Sequence, residues 1–309
     1  MSYRAGYVGL IGQPNAGKST LLNALVEEKI SIVTEKPQTT RRRVLGVVNQ
    51  GQGQIVYVDA PGWIRAEEGL NHFLQKEAED VAGSSDALIL VISLDQKDAD
   101  SVTQIFAVAE KSKKPFFIVV TKADLVDKKH RLEKIKEMAT DKFKNSFRGR
   151  DIPVIEFSSK WGKDAESVLT QIKEISLSLL PETPAPLYDT EIFTPHTVRE
   201  LCEEIIREQC FELLDKEIPY GIAVRVATFD ESNPDMPRIH ADILVPRETH
   251  RPIVVGKKAA VVKEIGIRAR KEIERMVGTQ VFLKLEVLVR KDWTENTRLM
   301  KDLGYVIKK

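Results

Sequence analysis

Gly12-Gln13-Pro14-Asn15-Ala16-Gly17-Lys18-Ser19 has the spacing Gly-x-x-x-x-Gly-Lys-Ser, and its neighbours decide the fold. Upstream, Tyr7–Ile11 is an apolar run that reads as a strand; downstream, Thr20-Leu21-Leu22-Asn23-Ala24-Leu25 reads as the start of a helix. A strand that turns through glycines into a helix aims several backbone N–H groups and the positive end of the helix at one place, which suits phosphate. Lys18 is placed to reach the β- and γ-phosphates of a nucleoside triphosphate, and the Ser19 hydroxyl to ligate Mg²⁺. Gly12 through Thr20 are therefore expected to line a nucleotide site.

Working outward, apolar runs at Arg43–Asn49, Gln54–Val58, Ala87–Ile92, Phe116–Val120 and Val154–Phe157 alternate with longer amphipathic segments, the pattern of a parallel sheet wrapped by helices. Asn49-Gln50-Gly51-Gln52-Gly53 is short enough for a hairpin, so the second and third strands should be antiparallel and the rest parallel. A helix is expected over Ala165–Leu180. The prolines of Pro181-Glu182-Thr183-Pro184-Ala185-Pro186 cannot continue it and favour an extended linker. The reading is a first domain over 1–180, a linker over 181–196 and a second domain over 197–309.

In the second domain, Thr197-Val198-Arg199-Glu200 has capping-box spacing, and Val198, Leu201, Ile205 and Leu213 mark the apolar face of a helix ending near Pro219. Strands follow at Ile222–Phe229 and Ile239–Val245, then a helical pair about a basic turn at Gly256, and a strand at Val281–Val289. The order is helix, strand, strand, helix, helix, strand.

Bulk properties narrow the class. With 42% hydrophobic and 30% charged residues, the 309-residue chain lies far from the disordered regime and can bury two cores. Its 47 basic and 46 acidic residues nearly cancel, so partner arguments rest on local patches. One such patch is Arg247–Arg275, where nine Lys/Arg face four Asp/Glu, a surplus of five. The two cysteines, Cys202 and Cys210, are spaced too far apart on one helix to bridge, which fits a reducing cytosol. Met1-Ser2-Tyr3-Arg4-Ala5 carries no secretory signature, and the apolar runs Ala87–Ile92 and Pro115–Val120 are far short of the ~20 residues of a membrane span. Membrane association, if any, is expected to be peripheral.

Further motifs sit where the strands end. Thr121-Lys122-Ala123-Asp124 follows the run Phe116–Val120 and resembles the guanine-reading Asn-Lys-x-Asp motif of translation-factor-like GTPases. The Asp124 carboxylate can accept from the ring N–H and exocyclic amine of guanine, a donor pair adenine lacks, and Lys122 can lay its stem over the base. Thr121 replaces the family's asparagine, and a hydroxyl replaces only part of that amide's bonding to the loop below. Asp59-Ala60-Pro61-Gly62 resembles the Asp-x-x-Gly motif, in which the carboxylate holds Mg²⁺ through water and the glycine pivots the second switch. Thr39-Thr40-Arg41 matches the first switch, with Thr40 favoured over Thr39 as the metal ligand. Ser158-Ser159-Lys160 resembles the motif whose backbone meets the guanine carbonyl. Lys18, Thr40 and Gly62 are the candidate catalytic residues, with Ser19, Thr40 and Asp59 on the metal. Trp63 stands where Ras-like enzymes carry a water-orienting glutamine, and Asn15 matches the asparagine by which several such enzymes hold K⁺; slow, K⁺-stimulated hydrolysis is expected.

Val254-Val255-Gly256-Lys257-Lys258-Ala259 resembles the Gly-x-x-Gly turn of a KH domain, with Ala259 in place of the second glycine. Gly256, Lys257, Lys258, Lys263, Arg268 and Arg270 are the candidate RNA contacts. Glu204-Ile205-Ile206-Arg207-Glu208, Glu217-Ile218-Pro219-Tyr220, Gly266-Ile267-Arg268-Ala269-Arg270, Leu303-Gly304-Tyr305 and Pro37-Gln38-Thr39-Thr40-Arg41 together resemble the Era-like subfamily of bacterial translation-factor-class GTPases. The resemblance spans essentially the whole chain. It implies a Ras-like P-loop GTPase α/β domain with a mixed, mostly parallel sheet, followed by an α+β type II KH domain. It further implies GTP/GDP and Mg²⁺ as cofactors, and a role in assembling the 30S ribosomal subunit through the 3′ end of its RNA. A cytoplasmic monomer with a peripheral inner-membrane fraction is expected. The alternative is an RNA chaperone module that keeps the nucleotide only as a structural ligand.

Overall fold

A computed structural model describes residues 3–34, 36–63, 68–95, 99–144 and 151–305. Met1 and Ser2, part of the N-terminal reading, lie outside the described residues, as do 306–309 of the expected second domain. The chain divides into two compact units. The first holds Met1–Ser31, Thr40–Ala66 and Leu74–Pro195; the second holds Ile32–Thr39, Glu67–Phe73 and His196–Lys309.

In the first unit the elements run β1 (Arg4–Ile11), α1 (Lys18–Val26), β2 (Val44–Asn49), β3 (Gly53–Asp59), α2 (Gly69–Ser84, of which the part up to Phe73 is counted with the second unit), β4 (Ala87–Ser93), α3 (Ala99–Ser112), β5 (Phe116–Thr121), α4 (Lys129–Lys142), β6 (Val154–Glu156) and α5 (Asp164–Leu179). The sheet order is β2-β3-β1-β4-β5-β6; β2 alone is antiparallel, through the expected hairpin. Every residue of β3, β4 and β5 is buried, as strands covered on both faces require. Alternation splits β4 between two cores: Leu88, Leu90 and Ile92 pack with residues of α2, α3 and α4, whereas Ala87, Ile89 and Val91 pack with α1 and α5. Strand order reverses at β1, so the turn after β1 opens at the switch point where ligands of open α/β sheets bind.

The stretch read as an extended linker is hydrogen-bonded to the sheet of the first unit. Ala5 N donates to Pro181 O, Thr183 N to Tyr3 O, and Gln54 Oε1 accepts from both Leu187 N and Tyr188 N. Further on, Val47 N donates to Phe193 O at 2.8 Å and the Thr194 hydroxyl to Leu45 O at 2.7 Å. These bonds cap the outer edge of β2, whose backbone groups would otherwise be open to pairing with another chain. The unit boundary consequently falls after Pro195, beyond the proline run.

The second unit runs α6 (Val198–Leu213), β7 (Ala223–Asp230), β8 (Arg238–Val245), α7 (Arg251–Val255), α8 (Ala260–Val277), β9 (Phe282–Val289) and α9 (Thr297–Asp302). Its sheet order is β7-β8-β9, antiparallel then parallel, with α6 and α8 contributing Ile205, Ile206, Ile265, Ala269 and Ile273 to the core. The capping box at Thr197 and Glu200 is formed. Two details differ from expectation: α6 stops at Leu213, with a separate short turn at Pro219–Gly221, and Val198 is exposed because it lies in the first turn, before the face packs. The short helix α9 carries no strong periodic signal and was not anticipated. Its neighbourhood receives the start of α2: Leu70 N donates to Thr294 O, and Phe73 meets Tyr305 edge-on while Tyr305 stacks on Trp293.

Candidate functional site

The carboxyl ends of β1, β3 and β5 and the turn after β6 bring the motifs together. Leu10 pairs with Asp59 in register, so the glycine turn after β1 and the acidic residue ending β3 are neighbours by construction. Gly17 caps α1 with φ of 84°, a left-handed conformation that glycine adopts without strain, and Asn15, at φ 61° and exposed, is of the type that best tolerates it otherwise. Ala16 N closes the turn on Gln13 O. Gly62 lies against Pro14, where a Cβ would stand 2.6 Å from the proline nitrogen, and Trp63 N donates to Gly12 O. Ala60, Pro61 and Gly62 are buried, and Thr20 is half-buried in α1.

Lys18 is 5% exposed, and its ammonium donates to Gly12 O at 3.1 Å and Gln13 O at 2.9 Å. Burial pushes it down to about 8, against the attraction of Asp59. The Asp59 carboxyl is itself raised by burial, opposed by Lys18 and by the hydroxyls of Ser19, Ser31 and Thr40. Ser19 Oγ donates to Asp59 Oδ2 at 2.5 Å and lies 3.0 Å from Thr40 Oγ1, which is 3.4 Å from the same carboxylate oxygen. Thr39 instead turns its hydroxyl to Lys36 O at 2.7 Å and lies 2.9 Å from Thr34 Oγ1. Thr40 is thus the threonine brought to the cluster.

Ser31 was not expected here. Its hydroxyl donates to Asp59 Oδ2 at 3.0 Å, and its backbone is held on both sides by Asn23, which donates to Ser31 O and accepts from Ser31 N. A lone serine between a helix and a polar connection carries no spacing signal. Only the return of the chain over α1 reveals it.

At β5 the replacement of asparagine by Thr121 preserves a tether. Thr121 Oγ1, fully inside, donates to Ala16 O at 2.7 Å and so ties the base-reading turn to the phosphate loop. Lys122, at φ 57°, pairs with Asp95 at 2.6 Å, and Asp95 accepts from Ser93, a brace the motif alone did not disclose. Asp124 Oδ1 accepts from Ser158 Oγ at 2.6 Å and Oδ2 lies 3.2 Å from Lys160 Nζ; the Ser158 bond holds the carboxyl below the usual range. Ser159 and Lys160 are exposed beside it. Replacing Thr121 with valine removes the bond to Ala16 O and strands a buried carbonyl, at a cost of ~1–3 kcal/mol. Calorimetry should show a lower melting temperature and GTP affinity reduced about tenfold; unchanged values in both would mean the tether is idle.

In the second unit, the turn between α7 and α8 has Gly256 at φ 72°, ψ 168°, with Lys258 and Ala259 both left-handed. At Gly256 a Cβ would sit 2.5 Å from Val261 Cγ2, so no other residue fits. Ala259 accepts the strained geometry that glycine would take freely. Lys257, Lys258 and Lys263 are exposed at the start of α8. Arg268 and Arg270 are exposed too, paired with Glu264 at 2.7 Å and Glu274 at 3.8 Å. At about 100° per residue, Lys263 and Arg270 share one flank of α8 and Arg268 lies on the other, so the six basic-turn candidates do not form one continuous strip.

Fold and site together define a P-loop GTPase unit joined to a KH-type unit. Residues 7–122 match the family described as 50S ribosome-binding GTPase, and residues 217–294 match the KH domain family. The GTPase Era proteins of Trichlorobacter lovleyi and Geobacter metallireducens are each 38% identical over 98% of this chain and 98% of their own. An Aquifex aeolicus Era variant solved with GDP and AlF4⁻ matches with a TM-score of 0.87 and 31% identity, over 98% of this chain and 99% of that one. Era in complex with MgGDPNP and nucleotides 1506–1542 of 16S ribosomal RNA matches equally well. The chain belongs to the Era family of GTPases.

Proposed function

We propose that the chain is a GTP-hydrolysing switch that binds the small-subunit ribosomal RNA near its 3′ end and acts in 30S subunit assembly, with 1–180 as the nucleotide domain and 197–309 as the RNA-binding domain. The observation that carries the enzymatic part is the convergence of Ser19, Thr40 and Asp59 within 3.4 Å beside the phosphate loop. These are hard oxygen donors, and Asp59 Oδ1 is buried with no hydrogen-bond partner, which fits a divalent ion that keeps several waters. Ser19, Thr40 and Asp59 would hold a Mg²⁺ ion, which would supply positive charge to offset that of the phosphates. Lys18 neutralises the triphosphate, residues Gly12–Thr20 line it, Gly62 meets its terminal phosphate, and Thr121, Lys122, Asp124, Ser158, Ser159 and Lys160 take the guanine. Trp63 offers no group to orient water, so hydrolysis is slow. Asn15 is the candidate K⁺ ligand, and turnover should be faster in KCl than in NaCl at equal ionic strength. Equal rates in the two salts would remove potassium from the account.

For RNA, the support is the whole-length likeness to Era solved with a 16S ribosomal RNA segment, together with the exposed Lys257, Lys258 and Lys263 about the Gly256 turn. Backbone N–H groups and lysines at such a turn clamp a single strand, and each phosphate contact adds salt dependence. Charge reversal of Lys257 and Lys258 to glutamate should weaken binding of an oligonucleotide copying the 3′ segment by about tenfold or more and flatten its salt slope. Unchanged binding would place the RNA elsewhere. No helix among the described residues is long and apolar enough to cross a membrane. The protein acts as a cytoplasmic monomer with a peripheral inner-membrane fraction.

A further inference from the structure

Asp59 ends β3 fully buried, and its two carboxylate oxygens have different surroundings. Oδ2 accepts from the Ser19 hydroxyl at 2.5 Å and the Ser31 hydroxyl at 3.0 Å, with Thr40 Oγ1 at 3.4 Å. Oδ1 is buried with no hydrogen-bond partner among the described residues. Ser19 and Thr40 are the metal ligands read above. Ser31 belongs to neither of their motifs, yet it is 2% exposed and donates to the same oxygen. Ser19, Asn23, Ser31, Thr40 and Asp59 all lie in the first unit.

What aims Ser31 is α1. Asn23 follows Ser19 by four residues, so the two share a face of that helix one turn apart. Asn23 Oδ1 accepts from Ile30 N at 3.0 Å and from Ser31 N at 2.9 Å, and its Nδ2 donates to Ser31 O at 2.7 Å. Both lone pairs of the amide oxygen and one of its two N–H donors are thereby committed to consecutive peptides. The Ser31 backbone is fixed to the helix that carries Ser19. Asp59 Oδ2 is consequently held by two hydroxyls anchored on α1, one directly and one through the Asn23 clamp. Hydrogen bonds to a carboxylate withdrawn from water are of the stronger, charge-assisted kind, and turning the group out of its plane breaks both. Held so, the carboxylate leaves Oδ1 for a donor from outside the protein, which suits a water of a divalent ion's shell.

We propose that Ser31, clamped by Asn23, is a positioning residue for the Mg²⁺ site: by holding Asp59 Oδ2 it presents Oδ1 to the ion's water shell. Ser31 acts through the carboxylate and is not itself a ligand. The inference rests on Asp59 being the metal-holding carboxylate, as read above. It applies with GDP as well as GTP, because Asp59, unlike the first-switch threonine, serves the ion in both states.

The test uses the full chain with Ser31→Ala, Asn23→Ala, the double variant and Asp59→Ala, measuring GDP affinity across Mg²⁺ concentrations and in excess EDTA. Ser31→Ala is expected to raise the Mg²⁺ needed for half-maximal tightening of GDP by about tenfold, the scale of losing a hydrogen bond behind a metal ligand. Its GDP affinity in EDTA should stay within about twofold of wild type, a split that a merely structural serine would not produce. Asn23→Ala should raise the Mg²⁺ requirement in the same direction and add little on top of Ser31→Ala, since both act through one bond. A folded Ser31→Ala protein with a wild-type or lower Mg²⁺ requirement, beside a raised one in Asp59→Ala, overturns the inference alone. So does a loss of GDP affinity that is equal with Mg²⁺ and in EDTA. A wild-type Mg²⁺ requirement in Asp59→Ala overturns it together with the reading of Asp59. Should Ser31→Ala fail to fold, Ser31→Cys keeps a side chain there with a weaker donor; a raised Mg²⁺ requirement would support the proposal, and a wild-type one would overturn it.

Discussion

Replacing Asp124 with asparagine is expected to cut GTP affinity by about 100-fold or more and to bring xanthosine triphosphate up in its place. The size follows from two charge-assisted bonds, each of ~1.5–3 kcal/mol, of which the amide keeps at most one and sets its own N–H against a guanine donor. At ~1.4 kcal/mol per decade the loss reaches two decades. Xanthine presents a carbonyl where guanine has its amine, so the same amide becomes complementary. The surroundings favour a clean result: Ser158 Oγ can donate to the amide oxygen as it does to the carboxylate at 2.6 Å, and the Lys160 pair, 77% exposed on the lysine side, contributes little to stability. Titration calorimetry with GTP, ATP and xanthosine triphosphate reads it out, and an Asp124→Asn protein that still prefers guanine would remove this carboxylate from base recognition.

Lys18→Ala is expected to lower hydrolysis by roughly 1,000-fold, the scale of losing one preorganised charge at a reacting phosphate, and to weaken GTP more than GDP. The ammonium is held by the Gly12 and Gln13 carbonyls, so it is already aimed into the loop before a phosphate arrives. Its burial lowers its pKa to about 8, and a triphosphate beside it favours the charged form. Single-turnover assays with quantified nucleotide binding measure both effects. The same variant separates the two functions weighed at the outset: an RNA chaperone that keeps the nucleotide as a structural ligand would still support subunit assembly with Lys18→Ala, whereas a switch would not.

The phosphate loop, Asp59, Asp124 and Ser158 were legible in the sequence because each motif terminates an apolar strand, and a parallel sheet delivers all such ends to one edge. The type II order of the second unit was legible for a similar reason, since strand and helix periods differ. Contacts between residues far apart in sequence were not. Arg207 and Thr39 are 168 positions apart, and nothing local to either announces the bond. Ser31 reaches Asp59 only because Asn23 folds the chain back, and the Thr121 hydroxyl proved a tether to Ala16 O only once β5 was set beside the loop. The prolines after α5 signalled the end of that helix at Leu179 but not the docking of the following stretch on β2, because edge capping depends on a partner strand the local pattern does not contain. Counting basic residues over Arg247–Arg275 found the charge surplus, while helical geometry divides Arg268 from Arg270.

The account depends most on nucleotide state being felt by the RNA-binding unit. Affinity of the full chain for an oligonucleotide copying the 3′ segment of small-subunit ribosomal RNA, measured at one salt concentration with Mg²⁺ and either a non-hydrolysable GTP analogue or GDP, tests that directly. A difference of about tenfold or more, ~1.4 kcal/mol of coupling, is the expected result; the same affinity in both states would contradict the switch.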